Sequence, residues 1–94
     1  MLAIKRSSAF KRDYKKIKAN PRYRSELDSL LYEVLTYLLE DKRLPEHFYD
    51  HPLQGSWGSY RECHLKSDLL LIYKKVDQDT LKLIRLGSHS ELFD

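Results

Sequence analysis

Apolar residues along this chain repeat first with a helical and then with a strand period, and the change of period sets its layout. Leu2 to Arg6 alternates in part and predicts a short first strand, after which Ser7 or Ser8 caps a helix. Phe10, Tyr14 and Ile17 recur at i, i+4 and i+7 and share one face, while Lys11, Arg12, Lys15, Lys16 and Lys18 fan around the rest. Asn20-Pro21 ends this helix, because proline disfavours helical geometry in the residue before it and has no N–H for the ladder. Ser25 then opens a second helix, with Asp28 as the acidic partner of a shortened capping box. Leu27, Leu30, Leu31, Val34, Leu35 and Leu38 form its wide apolar stripe, to be packed in the core, with Tyr32 and Tyr37 off its centre. The segment from Lys42 to Pro45 breaks it.

From Glu46 to Ser59 no period is sustained and Pro52, Gly55 and Gly58 interrupt the chain, so a long loop is predicted, pinned to the body by Trp57. A loop beyond about 12 residues is uncommon in a small domain unless it has a task, which draws attention to His47, His51 and Gln54. Three strands follow, Tyr60 to Leu65, Leu69 to Val76 and Leu81 to Gly87, joined by Lys66-Ser67-Asp68 and Asp77-Gln78-Asp79 as turns of a meander. The middle one is apolar on both faces and is therefore central. The pattern predicts a single α+β domain over residues 1–94, with two N-terminal helices packed on a small, mostly antiparallel, four-stranded sheet in the order β-α-α-β-β-β.

A chain of 94 residues buries only about two-thirds of its unfolded surface, enough for one thin core. One cysteine forms no internal disulfide, the N-terminal residues do not read as a secretion signal, and no apolar run reaches the roughly 18 residues of a membrane helix. A reducing cytoplasm is the expected compartment, with no membrane partner. The net charge of +3 conceals an asymmetry: residues 1–20 carry seven basic side chains against Asp13 alone, a net of +6, which leaves −3 for the remainder. A basic helix of this kind suits a polyanion as well as it suits plain solvation.

The strand half also holds the chemistry. Along Tyr60 to Leu65 alternation places Glu62 and His64 on one face and Arg61, Cys63 and Leu65 on the other. If the last strand runs on regularly, Arg85, Gly87 and His89 share a face, and His89 meets His64 across the sheet. Cys63 points away from His64, and only His47 with His51 has a zinc-like spacing, so no metal site and no cofactor are expected and Cys63 is read as core. Histidines exchange protons near neutral pH, and carboxylates such as Asp68 and Glu62 orient them. His47 alone is given no chemistry.

Asp50-His51-Pro52-Leu53-Gln54-Gly55-Ser56-Trp57, Tyr60-Arg61-Glu62-Cys63-His64, Asp68 with Leu71-Ile72-Tyr73, and Gly87-Ser88-His89 closing in Leu92-Phe93 resemble the YafQ branch of the RelE/ParE toxin superfamily over nearly the whole chain. The resemblance implies a bacterial type II toxin that cuts messenger RNA in the ribosomal A site. It implies His51, His64, Asp68 and His89 as the catalytic group and Phe93 as a nucleotide-placing residue. Glu62, where relatives can carry aspartate, is implied in a supporting role. In such a cleavage the 2′-hydroxyl attacks the adjacent phosphorus without metal, with His51 or His64 as base, His89 as acid and Asp68 as orienter. Arg61 and Arg85 are candidates to neutralise phosphate, Arg85 the better by alternation. Lys11, Lys15, Lys16 and Lys18 would dock on ribosomal RNA or on an acidic antitoxin segment.

The implied partners are a DinJ/RelB-like antitoxin covering the toxin, message and ribosome, and operator DNA reached through the antitoxin. Two other readings compete. A ParE-like inhibitor acting by protein binding would lack the histidines, and a non-catalytic nucleic-acid-binding module would leave them unexplained.

Overall fold

The computed structural model describes residues 2–93. Strand β1 (Ala3–Arg6) leads into helix α1 (Ser8–Lys18), which Ser7 caps by accepting the Phe10 N–H at 2.9 Å while its own hydroxyl donates to the Ile84 carbonyl at 2.6 Å. One serine thus starts the helix and ties it to the far end of the chain.

Helix α2 spans Leu27–Leu39 and begins two residues after Ser25. Its cap position is Glu26, without a side-chain hydrogen bond, and Asp28 accepts from Lys18 Nζ at 2.7 Å and from the Tyr14 hydroxyl. The expected capping box does not form because the acid is drawn to α1. The leucine stripe behaves as its spacing predicts: Leu27, Leu31, Val34 and Leu38 are buried, with Leu30 and Leu35 at the margin.

Among the described residues the sheet has five strands, not four, ordered β1-β5-β4-β3-β2. The meander of β3 (Arg61–Lys66), β4 (Leu69–Lys75) and β5 (Thr80–Gly87) is antiparallel as expected, and β1 joins β5 in parallel. The addition is β2 (His51–Pro52), which pairs antiparallel with β3, His51 opposite Glu62 and Pro52 opposite Arg61. A two-residue strand has no period to read, so the region Glu46 to Ser59 looks irregular in sequence. Two single 3-10 turns, Glu46–Phe48 and Gly55–Trp57, complete it, the second entered through Gly55 at a φ of 66° that favours glycine.

A third helix, α3 (His89–Phe93), also departs from the expectation that β5 runs on through residue 89. Ser88 and Glu91 form a reciprocal capping box: Ser88 Oγ accepts the Glu91 N–H at 3.2 Å and Glu91 Oε1 accepts the Ser88 N–H at 3.0 Å.

Both helices of the N-terminal half lie on one face of the sheet, where Phe10, Ile17, Leu27, Val34, Cys63 and Leu71 belong to the main core. The opposite face carries a smaller cluster in which Leu70, Ile72 and Leu92 are buried and Trp57, Tyr60 and Ile84 pack at the edges. Trp57 is therefore an anchor, as its type suggests, holding the loop against the face opposite α1 and α2. No helix among the described residues is long and apolar enough to cross a membrane.

Candidate active site

On the face opposite α1 and α2, β3 presents Glu62 and His64 as alternation requires, and Cys63 points into the main core at 0% exposure. Burial pushes the Cys63 thiol far above its ordinary value, so it stays a neutral packing residue. The register carries His51 of β2 beside Glu62, and Leu70 and Gly87 beyond His64.

Glu62 is only 2% exposed, and one oxygen does two things: Oε1 lies 3.2 Å from His51 Nε2 and 3.2 Å from His64 Nε2. A buried carboxylate shared between two imidazoles fixes both rings from one point. His51 Nδ1 faces the Pro52 carbonyl at 3.2 Å, so both of its nitrogens meet acceptors. The ring centroids of His51 and His64 are 6.1 Å apart, and those of His64 and His89 6.0 Å.

His89 arrives by a different route from the one expected. It opens α3, and Asp68, at the β3–β4 turn, accepts its backbone N–H at 3.0 Å and faces its Nδ1 at 3.5 Å. Phe93, half-exposed at the end of α3, stands 5.9 Å from His89 and 5.9 Å from Trp57 by ring centroids. The structure thus brings His51, Glu62, His64, Asp68, His89 and Phe93 together.

It does not bring the arginines in free. Arg85 donates from Nε to Asp13 Oδ2 at 2.6 Å and from Nη2 to Oδ1 at 3.2 Å, and Asp13 also accepts the Leu86 N–H. Arg61 is paired with Asp50 through Nε at 3.3 Å and Nη2 at 3.1 Å. Each guanidinium already has a carboxylate, so a phosphate at Arg85 or Arg61 would share it with Asp13 or Asp50. Lys16 meets Glu91 at 2.8 Å and Lys18 meets Asp28 at 2.7 Å, while Lys11 and Lys15 stand exposed on α1. His47 packs on Phe48, ring centroids 4.1 Å apart, away from the chemistry.

Two features escape sequence reasoning. Asp50 takes the Tyr73 hydroxyl as well as Arg61, locking the residue before His51 to β3 and β4. Burial and the neighbouring Asp50 push the Tyr73 phenol far up, so it remains a donor at neutral pH. Tyr49 is the other, 67% exposed with a left-handed backbone and its ring 5.6 Å from that of His64. A metal reading is also nearer than the spacings suggested. The ligating atoms of His51, Glu62 and His64 lie within 4.8 Å of one another, brought together by strand pairing rather than by a sequence motif.

Among the described residues, cavities of about 260, 230 and 340 Å³ are lined by side chains other than His51, His64 and His89, the second reaching Tyr49 and Asp50 beside them. The histidines occupy an open face, which suits a long polymer better than a small enclosed molecule.

Three imidazoles and two carboxylates thus converge on the face of the sheet opposite α1 and α2. The chain belongs to the YafQ family, bacterial toxins of type II toxin–antitoxin systems, whose family model matches residues 2–94. It is 35% identical over 91 residues to the mRNA interferase toxin YafQ of Escherichia coli strain K12, covering 96% of this chain and 98% of that one. A copper-bound mutant toxin from Helicobacter pylori superposes with a TM-score of 0.88 at 43% identity, covering 99% of this chain and 100% of the other. The toxin in the Escherichia coli DinJ–YafQ complex does so with a TM-score of 0.80 at 33% identity, over 100% of both chains.

Proposed function

We propose that this toxin is a ribosome-dependent endoribonuclease that cuts messenger RNA in the A site through attack of the RNA's own 2′-hydroxyl. The observation that carries the reading is the convergence of His51, His64 and His89 around Glu62 and Asp68. The mRNA interferase name of the Escherichia coli relative supports it.

With Nε2 on Glu62, His64 keeps Nδ1 to take the 2′ proton. The 2′ oxygen then attacks phosphorus and the bond to the 5′ oxygen breaks. Asp68 turns Nδ1 of His89 inward, and Nε2 of His89 gives its proton to the leaving 5′ oxygen. The products are a 2′,3′-cyclic phosphate and a 5′-hydroxyl, and no metal is needed. His51, whose two nitrogens face the Pro52 carbonyl and Glu62 Oε1, would hold in place the carboxylate that orients His64. Each well-placed acid or base contributes roughly 10²- to 10⁴-fold. Phe93 holds a flanking base.

Helicobacter pylori relatives are described as copper-bound and metal-bound. In this chain His51 Nε2, Glu62 Oε1 and His64 Nε2 fit a cation by donor type and proximity. A cation there would occupy the nitrogens that Glu62 orients and would stop the proton transfers.

The DinJ complex of the Escherichia coli relative supports a cognate antitoxin as partner, which would connect the toxin to operator DNA. Lys11 and Lys15 would meet ribosomal RNA phosphates, each contact adding about 0.7 to 0.9 to the slope of log affinity against log salt. The test is primer-extension mapping of a translated message with wild type and with His51→Gln, His64→Gln and His89→Gln. Loss of cuts with retained ribosome binding is expected. Cutting that survives all three changes would reject the assignment.

A further inference from the structure

Tyr49 is held where a tyrosine gains little from folding. Its backbone, at φ 49° and ψ 44°, lies in the left-handed region, which is costly for a bulky residue, and its side chain is 67% exposed. Both neighbours are committed inward. Phe48 is 2% exposed in the main core, and Asp50 is tied to Arg61 and Tyr73. The chain therefore turns Tyr49 outward, and it turns it toward the histidines, its ring centroid 5.6 Å from that of His64.

From Tyr49 the rings continue in steps of similar size: His64 to His89 at 6.0 Å, then His89 to Phe93 at 5.9 Å. The two acid–base rings stand between two exposed aromatic faces. A phosphodiester placed at His64 and His89 has one base on each side, and an aromatic face is the sequence-tolerant way to hold a base. Beside Tyr49 opens a cavity of about 230 Å³ whose lining includes Arg43, Glu46 and Arg61, room for the edge of a base or for its sugar.

We propose that Tyr49 is a second nucleotide-stacking residue, holding the base on the opposite side of the scissile phosphate from the one held by Phe93. The inference rests on the ribonuclease reading above and adds the substrate contact at the His64 end of the site. Together the two rings splay the nucleotides apart and expose the phosphate between them to in-line attack.

The test uses whole toxin on ribosomes programmed with two messages, each 2′-O-methylated at the cut position and carrying 2-aminopurine on one side of it or the other. Cleavage of the ordinary message is measured in parallel. Wild type quenches both probes. Tyr49→Asn, which accepts the left-handed backbone, releases one probe only and raises the half-saturating ribosome concentration roughly 5- to 150-fold, with little change in maximal rate. Its melting temperature equals or exceeds that of wild type, which separates lost stacking from lost fold. Tyr49→Phe keeps wild-type values, and Phe93→Leu releases the other probe.

Normal quenching and half-saturation in Tyr49→Asn, with wild type cutting normally, overturn the proposal. An equal loss in Tyr49→Phe also overturns it, since that would place the effect in the hydroxyl. A change confined to antitoxin binding would assign the ring to that interface and overturn it too. If wild type cuts no message, the ribonuclease reading falls and the stacking role with it.

Discussion

Replacing Asp50 by alanine should damage both the fold and the site, by an amount set by three hydrogen bonds. The carboxylate accepts Arg61 Nε at 3.3 Å, Arg61 Nη2 at 3.1 Å and the Tyr73 hydroxyl. The Arg61 side chain is 45% exposed and regains water when its partner goes, so that pair is worth about 0.5–1 kcal/mol. Tyr73 is 4% exposed, and a buried hydroxyl left without its acceptor costs about 1–3 kcal/mol. The sum is roughly 1.5–4 kcal/mol, a large share of the 5–14 kcal/mol expected for a domain of this size. Urea unfolding should show the midpoint falling with an unchanged slope.

Tyr73→Phe alone should cost about 0.5–1.5 kcal/mol. Because the two side chains touch, the double variant should depart from additivity by at least about 0.5 kcal/mol. Cleavage should fall about tenfold or more at a temperature where Asp50→Ala is still folded, since His51 follows directly and its ring placement depends on that backbone. Additive effects, or a cost for Asp50→Ala below about 0.5 kcal/mol, would refute the idea that this latch positions His51.

Glu62→Gln keeps the size of the side chain but removes the charge that two rings share, and single-turnover cleavage should drop at least about tenfold while the circular dichroism spectrum is retained. The α3 cap gives a pH signature. The Glu91 carboxyl is lowered to about 2, mainly by Lys16 and then by the Ser88 N–H. A depressed carboxyl stabilises above its unfolded value and loses that contribution as pH falls through the folded one. The melting-temperature gap between wild type and Glu91→Gln should therefore be full at pH 6, shrink between about 4.5 and 2, and close below that. A gap independent of pH would refute the assignment. Copper or zinc ions at micromolar concentration should inhibit wild-type cleavage, read by primer extension, a chelator should leave the metal-free toxin active, and His51→Gln should weaken binding of the ion, read by titration calorimetry. Activation by the ion would contradict this.

Much of this layout is legible because it depends on long periods. The leucines of α2, the i, i+4, i+7 seam of α1 and the alternation that separates Glu62 and His64 from Cys63 all appear as the pattern requires. The departures fall where tertiary partners override local signals. Asp28 abandons its cap for Lys18 and Tyr14, and Arg85 is held by Asp13 from 72 residues away, a pairing without a sequence signature. Strand β2 is two residues long and exists only through its pairing with β3. The start of α3 was legible: Ser88 and Glu91 have capping-box spacing, and recognising it moves His89 from a strand to a helix start. The burial of Glu62 was not, because it depends on His51 arriving from β2 to share the carboxylate with His64 of the same strand.

The central claim is that the histidine group turns the message's own 2′-hydroxyl into the nucleophile. Mapping cuts on a translated message that carries a single 2′-deoxy nucleotide at the scission position tests it directly. The expected result is complete protection at that position, with cuts at unmodified codons unchanged and ending in 2′,3′-cyclic phosphates. Continued scission at the deoxy position would contradict internal attack, and the acid–base roles of His64 and His89 with it.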